Sequence, residues 1–305
     1  MAPAAPDRPQ PSSVIAIFGP TGVGKTAVAV SLAASMRAER RRPVAVSADA
    51  LQVYRGIEIL TGVPSPAEQA ALEHRLISFV GLDDHFDVAR YAGLAHAEID
   101  GLLAAGRTPI VIGGTGLYLR AALTDLRLRP PAPPEVRARW RAALERDGPQ
   151  ALHAVLAARA PLAAERIDDA DRHRILRALE LQEIDALDPP AGRSQLWTAD
   201  TRHPTRLVGL VMERDALYRK IDDRVERMVA AGALDEVRAA DAAGASSGVR
   251  QALGFAALLA GDVERMKRQS RNYARRQLTW MRKLAGVETV DVTDRSPDEV
   301  AAALR

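Results

Sequence analysis

Phe18–Thr26 reads FGPTGVGKT and follows directly on VIAIF, Val14–Phe18. Gly19, Gly24, Lys25 and Thr26 stand at the G-x-x-x-x-G-K-[ST] spacing of a phosphate-binding loop. The β-branched run before the loop predicts a buried strand. The breaker-poor stretch from Lys25 to about Arg37 predicts a helix. Glycines let the backbone wrap an anion so that successive N–H groups point inward. The helix N-terminus adds a favourable dipole, Lys25 adds a point charge, and the Thr26 hydroxyl is a ligand for Mg²⁺. Phosphate binding is therefore expected from Gly19, Pro20, Thr21, Gly22, Val23, Gly24, Lys25 and Thr26. Loops of this class mark nucleotide-binding, ATP-binding proteins. Spacing alone leaves three uses open: nucleotide hydrolysis, phosphoryl transfer, or the holding of some other diphosphate.

Outward from the loop, strands and helices alternate. PVAVSAD (Pro43–Asp49) and PIVIGG (Pro109–Gly114) read as further buried strands, with an amphipathic helix over about Val88–Ala105 between them. RLVGLVM (Arg206–Met212) and VETVDV (Val287–Val292) supply later strands. Such alternation predicts an α/β fold, a P-loop NTPase-like parallel sheet flanked by helices on both faces. Ligands of these sheets collect at the carboxyl ends of the strands, here the loops GPTGVGKT, SAD and GGTG. Two proline-rich breaks, RLRPPAPPEVR (Arg127–Arg137) and DPPAGRSQ (Asp188–Gln195), bracket alanine-rich helical segments. The expected organisation is a core of residues 14–124 and 201–305, interrupted by a helical insertion domain at 125–200. Residues 1–13, rich in Pro, Ala and Ser without an apolar stretch, read as a disordered leader.

Composition narrows the class. The chain has 305 residues, 47% of them hydrophobic and 27% charged, with a formal charge of +3. No cysteine is present, which excludes disulfides and cysteine-based zinc sites. No run reaches the length of a membrane span, so no membrane partner and a cytoplasmic location are expected.

Two features carry chemistry beyond the loop. Asp49 ends the second strand and brings a carboxylate opposite the phosphate cradle, as a general base or a second Mg²⁺ ligand. PIVIGG ends in glycines without an acid, unlike the strand that positions water in P-loop hydrolases. From Glu264 to Lys283, ERMKRQSRNYARRQLTWMRK holds eight Lys or Arg against one acid. Arg268, Arg271, Arg275 and Arg282 recur near one helical face, a stripe suited to a phosphate backbone.

GPTGVGKT, SADALQVYRGIEILTG, PIVIGGTGLYLRAAL, DRHRILRALE, RDALYRKIDDRVERMV and NYARRQLTWMRK occur in this order. From about Val14 to Lys283 the chain resembles bacterial tRNA dimethylallyltransferases (tRNA isopentenyltransferases). The resemblance implies transfer of a dimethylallyl group from dimethylallyl diphosphate to N6 of the adenosine 3′ of the anticodon, with release of diphosphate. The cradle would then hold a prenyl diphosphate, with Mg²⁺ as cofactor and the tRNA anticodon stem-loop as partner of a monomer. It also implies that Asp49 takes the N6 proton and that Lys25, Thr26 and Thr115 attend the diphosphate. The implied tRNA contacts are Asp49, Ala50, Leu51, Gln52, Gly116, His173, Arg174, Ile175, Leu176, Arg177, Arg275, Arg276, Gln277, Trp280 and Arg282. The family's GTAKP is here LTGVPS (Leu60–Ser65), and His74 stands alone where the family has paired histidines. An arginine that meets the diphosphate in some members aligns with Gln251, which nominates its neighbour Arg250. The competing readings are an adenylate (cytokinin-type) isopentenyltransferase, a small-molecule P-loop kinase and a non-catalytic RNA-binding module. The insertion and the basic helix argue against the first, and the cradle with Asp49 against the last.

Overall fold

The computed structural model describes residues 14–187 and 195–304, so the expected leader and most of the second proline break lie outside the described residues. Six parallel strands form one sheet: β1 Val14–Phe18, β2 Pro43–Ser47, β3 His74–Arg75, β4 Thr108–Gly113, β5 Thr205–Val211 and β6 Val287–Asp291, in the order β3-β2-β4-β1-β5-β6. β1 lies between β4 and β5, with Ala16 opposite Val111 on one side and Leu207 on the other.

Period-two alternation explains the burial of this sheet. Val14, Ala16 and Phe18 enter one core cluster, together with Val44, Val46 and Val111. Ile15 and Ile17 point the other way, into a second cluster with Ala45, Ile110 and Val208. Both faces are covered by helices, so the strands read as unbroken apolar runs. The two-residue β3, paired to Ala45 and Val46, had no such signature.

The helix Lys25–Ala38 starts at Gly24, whose φ of 97° is the left-handed turn that brings the chain from cradle to helix. Val28, Leu32 and Met36 press that helix onto the sheet. On the opposite face lies the helix Val88–Ala104, capped by Asp87, whose carboxylate accepts from the amides of Ala89 and Arg90. Its fully buried Tyr91 donates a hydroxyl hydrogen bond of 2.9 Å to the Ser47 carbonyl at the end of β2.

The chain divides into two compact units, residues 1–126 with 196–305, and Arg127–Gln195, where the sequence reading drew its limits at 125 and 200. In the second unit the helix Pro134–Arg159 breaks at Gly148 (φ 81°) and Pro149. Its Trp140, Leu144, Leu152 and Leu156 pack with Ile175 and Leu179 of the helix Arg172–Glu183. In the first unit, the chain leading into β5 is fixed by Arg202, which meets Asp100 at 2.8 Å and Asp125 at 2.9 Å. Among the described residues no helix is long and apolar enough to cross a membrane.

Replacing Tyr91 by Phe removes one hydroxyl and leaves the buried Ser47 carbonyl without that partner. We expect a loss of about 1–3 kcal/mol in urea unfolding with an unchanged m-value. An unaltered midpoint would show that the bond contributes nothing net.

Candidate functional site

The carboxyl ends of β1, β2 and β4 open into one cavity of about 1040 Å³. Thr21–Thr26 excepting Val23 line it, with Asp49–Gln52 from beyond β2 and Gly113–Thr115 from beyond β4. The three loops singled out in the sequence therefore share one wall.

Lys25 is fixed within the cradle. Its Nζ donates to the carbonyls of Gly19 at 2.9 Å and Pro20 at 3.0 Å. Burial pushes its pKa down to about 7; the Arg224 charge pushes the same way, and Asp49 opposes both. Asp49 itself is held in a turn, its Oδ1 accepting the Leu51 amide at 3.0 Å. Gln52 lies behind it, accepting from the Ser47 hydroxyl at 2.8 Å and donating to the Gly62 carbonyl at 2.9 Å. That amide anchors the loop, a role distinct from the RNA contact implied for it.

Arg224, on the helix Arg214–Ala230, was not foreseen. Its Nη1 donates to the Thr21 hydroxyl at 2.6 Å, and burial lowers its pKa while Asp49 opposes the shift. A signal existed: Leu217, Ile221 and Val225 mark the buried face of that helix, and Arg224 falls three residues after Ile221. A cation on the apolar face of an amphipathic helix needs an anionic reason to be there.

The helix Val263–Met281 closes the opposite wall through residues four and three apart. Tyr273 shares a 3.2 Å hydrogen bond with Thr115 Oγ1; burial, then the Asp49 charge, push its phenol up to about 12. Gln277 accepts the Thr21 amide at 2.8 Å and donates to the Gly114 carbonyl at 2.7 Å. The Trp280 ring lies over Gly116 so closely that a Cβ there would stand 2.1 Å from it. Only glycine fits under that ring.

The same helix turns Arg265, Arg268, Arg275, Arg276 and Arg282 outward, with Lys283 just beyond it. Arg271 departs from the expected stripe: it meets Asp222 at 2.6 Å and is half-buried. Arg276 also lines the cavity. Arg250 is turned away, donating to the Asp241 carboxylate and to the Ala245 carbonyl at 2.9 Å, while Gln251 faces the cavity.

In the second unit, His173 and Arg174 are exposed. Ile175 is fully buried, which withdraws its side chain from RNA, and the partly buried Leu176 packs on the same core. Arg177 is engaged at home, donating to the Pro130 carbonyl at 2.6 Å and to Glu180 at 3.2 Å.

Beyond the cradle the cavity is lined by Leu60, Val63, Met228, Leu253 and Met266, an apolar pouch. Lys220 and Arg227 add to Lys25, Arg224 and Arg276 a surplus of cations over Asp49, Glu58, Glu68 and Asp223. The arrangement suits an anion attached to a short hydrocarbon.

Two family models match the chain, one described as IPP transferase over residues 52–284 and one as isopentenyl transferase over residues 12–84. A tRNA dimethylallyltransferase of Kineococcus radiotolerans is 40% identical over 298 residues, covering 93% of this chain and 92% of its own. One of Thermomicrobium roseum is 39% identical, covering 92% and 86%. Among solved structures, the tRNA isopentenylpyrophosphate transferase of Bacillus halodurans superposes with a TM-score of 0.68 at 33% identity, covering 95% and 93%.

An anion brought against Lys25 favours its charged form, so binding takes up a proton wherever the free lysine has lost one. Above pH 7 the affinity for a non-reactive alkyl diphosphate should fall as pH rises, by at most about tenfold per unit, one proton's worth. The phosphate's own last ionisation, near 6, is nearly complete over that range. Calorimetry between pH 7 and 9 checks this; Lys25→Met should bind weakly and without the slope.

Proposed function

We propose a specific activity for this chain, which belongs to the IPP transferase family: it transfers a dimethylallyl group from dimethylallyl diphosphate to N6 of the adenosine 3′-adjacent to the anticodon of tRNA. The observation that carries this reading is the Asp49 carboxylate on the wall of the same cavity as the phosphate loop, electrostatically coupled to Lys25. The diphosphate takes the cradle, with the amides of Gly22, Gly24, Lys25 and Thr26 and the side chains of Lys25 and Arg224 around it. The five-carbon tail takes the pouch of Leu60, Met228 and Met266.

N6 of adenine is a weak nucleophile, because its lone pair is delocalised into the ring. Positioning and proton removal both matter for that reason. A bond forms between N6 and the allylic carbon as the C–O bond breaks. Its electron pair stays with the diphosphate, and the N6 proton passes to Asp49. Lys25 and Arg224 meet charge that grows on the leaving oxygen in a buried site, where such stabilisation is strongest. Thr115, held by Tyr273, borders the path of the incoming base.

Thr26 would hold Mg²⁺ through its hydroxyl, which leaves the Asp49 carboxylate free for the N6 proton. A sparse protein donor set suits this ion when a diphosphate supplies further oxygens. Bound there, it would neutralise charge on the diphosphate. The exposed arginines of the helix Val263–Met281 are offered to the anticodon stem-loop. The base leaves its stack to reach the cavity.

Unmodified tRNA, dimethylallyl diphosphate and Mg²⁺ incubated with the protein should yield N6-dimethylallyladenosine on nucleoside mass analysis. Asp49→Asn should retain diphosphate affinity and slow turnover by roughly a hundredfold or more. Product from free AMP and none from tRNA would replace this reading with the adenylate isopentenyltransferase.

The stripe is tested by salt. Replacing Arg268, Arg275 and Arg282 with Gln should weaken tRNA binding. It should also flatten the logarithmic salt dependence by about two units, about 0.7 for each contact removed on single-stranded RNA. Arg271→Gln, which breaks the pair with Asp222, should lower stability and leave the slope alone. An unchanged slope in the folded triple variant would assign the arginines to solubility.

A further inference from the structure

Gln277 is one of few buried polar side chains among the described residues, only 5% exposed, and sits between Ala274 and Met281 on the inward face of a helix whose outward face is basic. A buried amide is costly unless both of its ends are satisfied. Here they are satisfied by two different loops. Oε1 accepts the amide of Thr21, inside the phosphate cradle beyond β1, and Nε2 donates to the carbonyl of Gly114, beyond β4. Neither loop is otherwise near Gln277 in the chain: the separations are 256 and 163 residues. Gly114 is cut to this contact, since a Cβ there would lie 2.3 Å from Nε2. On either side the same helix grips the second loop again, through Tyr273 on Thr115 and Trp280 on Gly116.

We propose that Gln277 is a positioning residue for the transfer. Its amide sets the spacing between the loop that holds the diphosphate and the loop, Gly113–Gly116, that borders the incoming base. This rests on the prenyl-transfer reading above, and departs from the RNA contact that the family resemblance implied for the residue. Two reactants brought together by separate loops react at a rate that falls steeply with misplacement, about a hundredfold for roughly 1 Å. A side chain bonded to both loops fixes that distance.

The amide is mimicked by a carboxylic acid only while the acid is protonated. A neutral carboxyl has one O–H donor and a carbonyl acceptor; a carboxylate has no donor and repels the Gly114 carbonyl. Gln277→Glu should therefore restore both bonds at low pH and lose one as pH rises. The experiment measures kcat and KM for dimethylallyl diphosphate with anticodon stem-loop RNA between pH 5.5 and 8.5, and the melting temperature at each pH. Wild type, Gln277→Glu and Gln277→Met are compared, with affinity for inorganic diphosphate read in parallel.

Gln277→Met, similar in volume and bonded to neither loop, should lower kcat by roughly a hundredfold. For Gln277→Glu, the ratio of its kcat/KM to that of wild type should climb by at least about tenfold from pH 8.5 to 5.5, one further ionisable group in control. Ratios that stay flat, or that merely follow the melting temperature, would overturn the positioning role and leave Gln277 a core residue with satisfied bonds. Should Gln277→Met fail to fold, the pH ratio of Gln277→Glu decides by itself. A wild type that binds diphosphate and transfers nothing to RNA would instead sink the prenyl-transfer reading; the positioning role would then stand or fall on whether the variants alter diphosphate affinity.

Discussion

A phosphate-binding loop has to keep most of its amides for the ligand, so it has few left with which to hold itself together as a turn normally does. Most of this fold can be understood as external support for that one loop. Lys25 ties back to the carbonyls of Gly19 and Pro20 from within. Arg224 braces the Thr21 hydroxyl from one neighbouring helix, and Gln277 takes the Thr21 amide from another. Both helices follow the second unit in the chain, so the cradle opens the core and is finished by its other half. The support also concentrates positive charge in a place with little water. That burial is why Lys25 is poised near neutrality before any anion arrives.

The electrostatics then favour one sort of guest. Desolvation works against each isolated cation, and Asp49 offsets only part of it for Lys25 and Arg224. An anion supplies what both lack, and Leu60, Val63, Met228, Leu253 and Met266 add apolar lining to the same cavity.

The strands were legible because a sheet covered on both faces leaves a plain record: VIAIF, PVAVS and RLVGLV carry no polar interruption in their centres. β3 left none. His74 and Arg75 are a strand only because β2 runs beside them. The loops were legible from glycine spacing, and Asp49 from its place at the end of a strand. What could not be read was the choice among like residues. Arg224 is set apart from Arg219 and Arg227 only by its register with Ile221, and nothing in the local composition separates Arg271, an ion pair, from the open Arg268 and Arg275. Those differences are made by Thr21 and Asp222, partners at 203 and 49 residues' remove. Ile175 shows the same limit: a motif names a segment, while burial chooses which of its side chains face outward.

The strand order has a consequence for how the chain is made. Among the described residues β1 is the first strand, and its two partners are β4 and β5. Between the end of β4 at Gly113 and the start of β5 at Thr205 the ribosome must build the whole second unit. At common elongation rates that interval lasts roughly 5–20 s. Throughout it the VIAIF strand offers one bare, β-branched edge, the kind of surface on which nascent chains stick to each other. The phosphate loop at its tip is equally unbraced, with Arg224 and Gln277 still untranslated. A half-made chain of this topology is therefore a natural client for chaperones that shield strand edges, and slow codons in the second unit would lengthen its exposure.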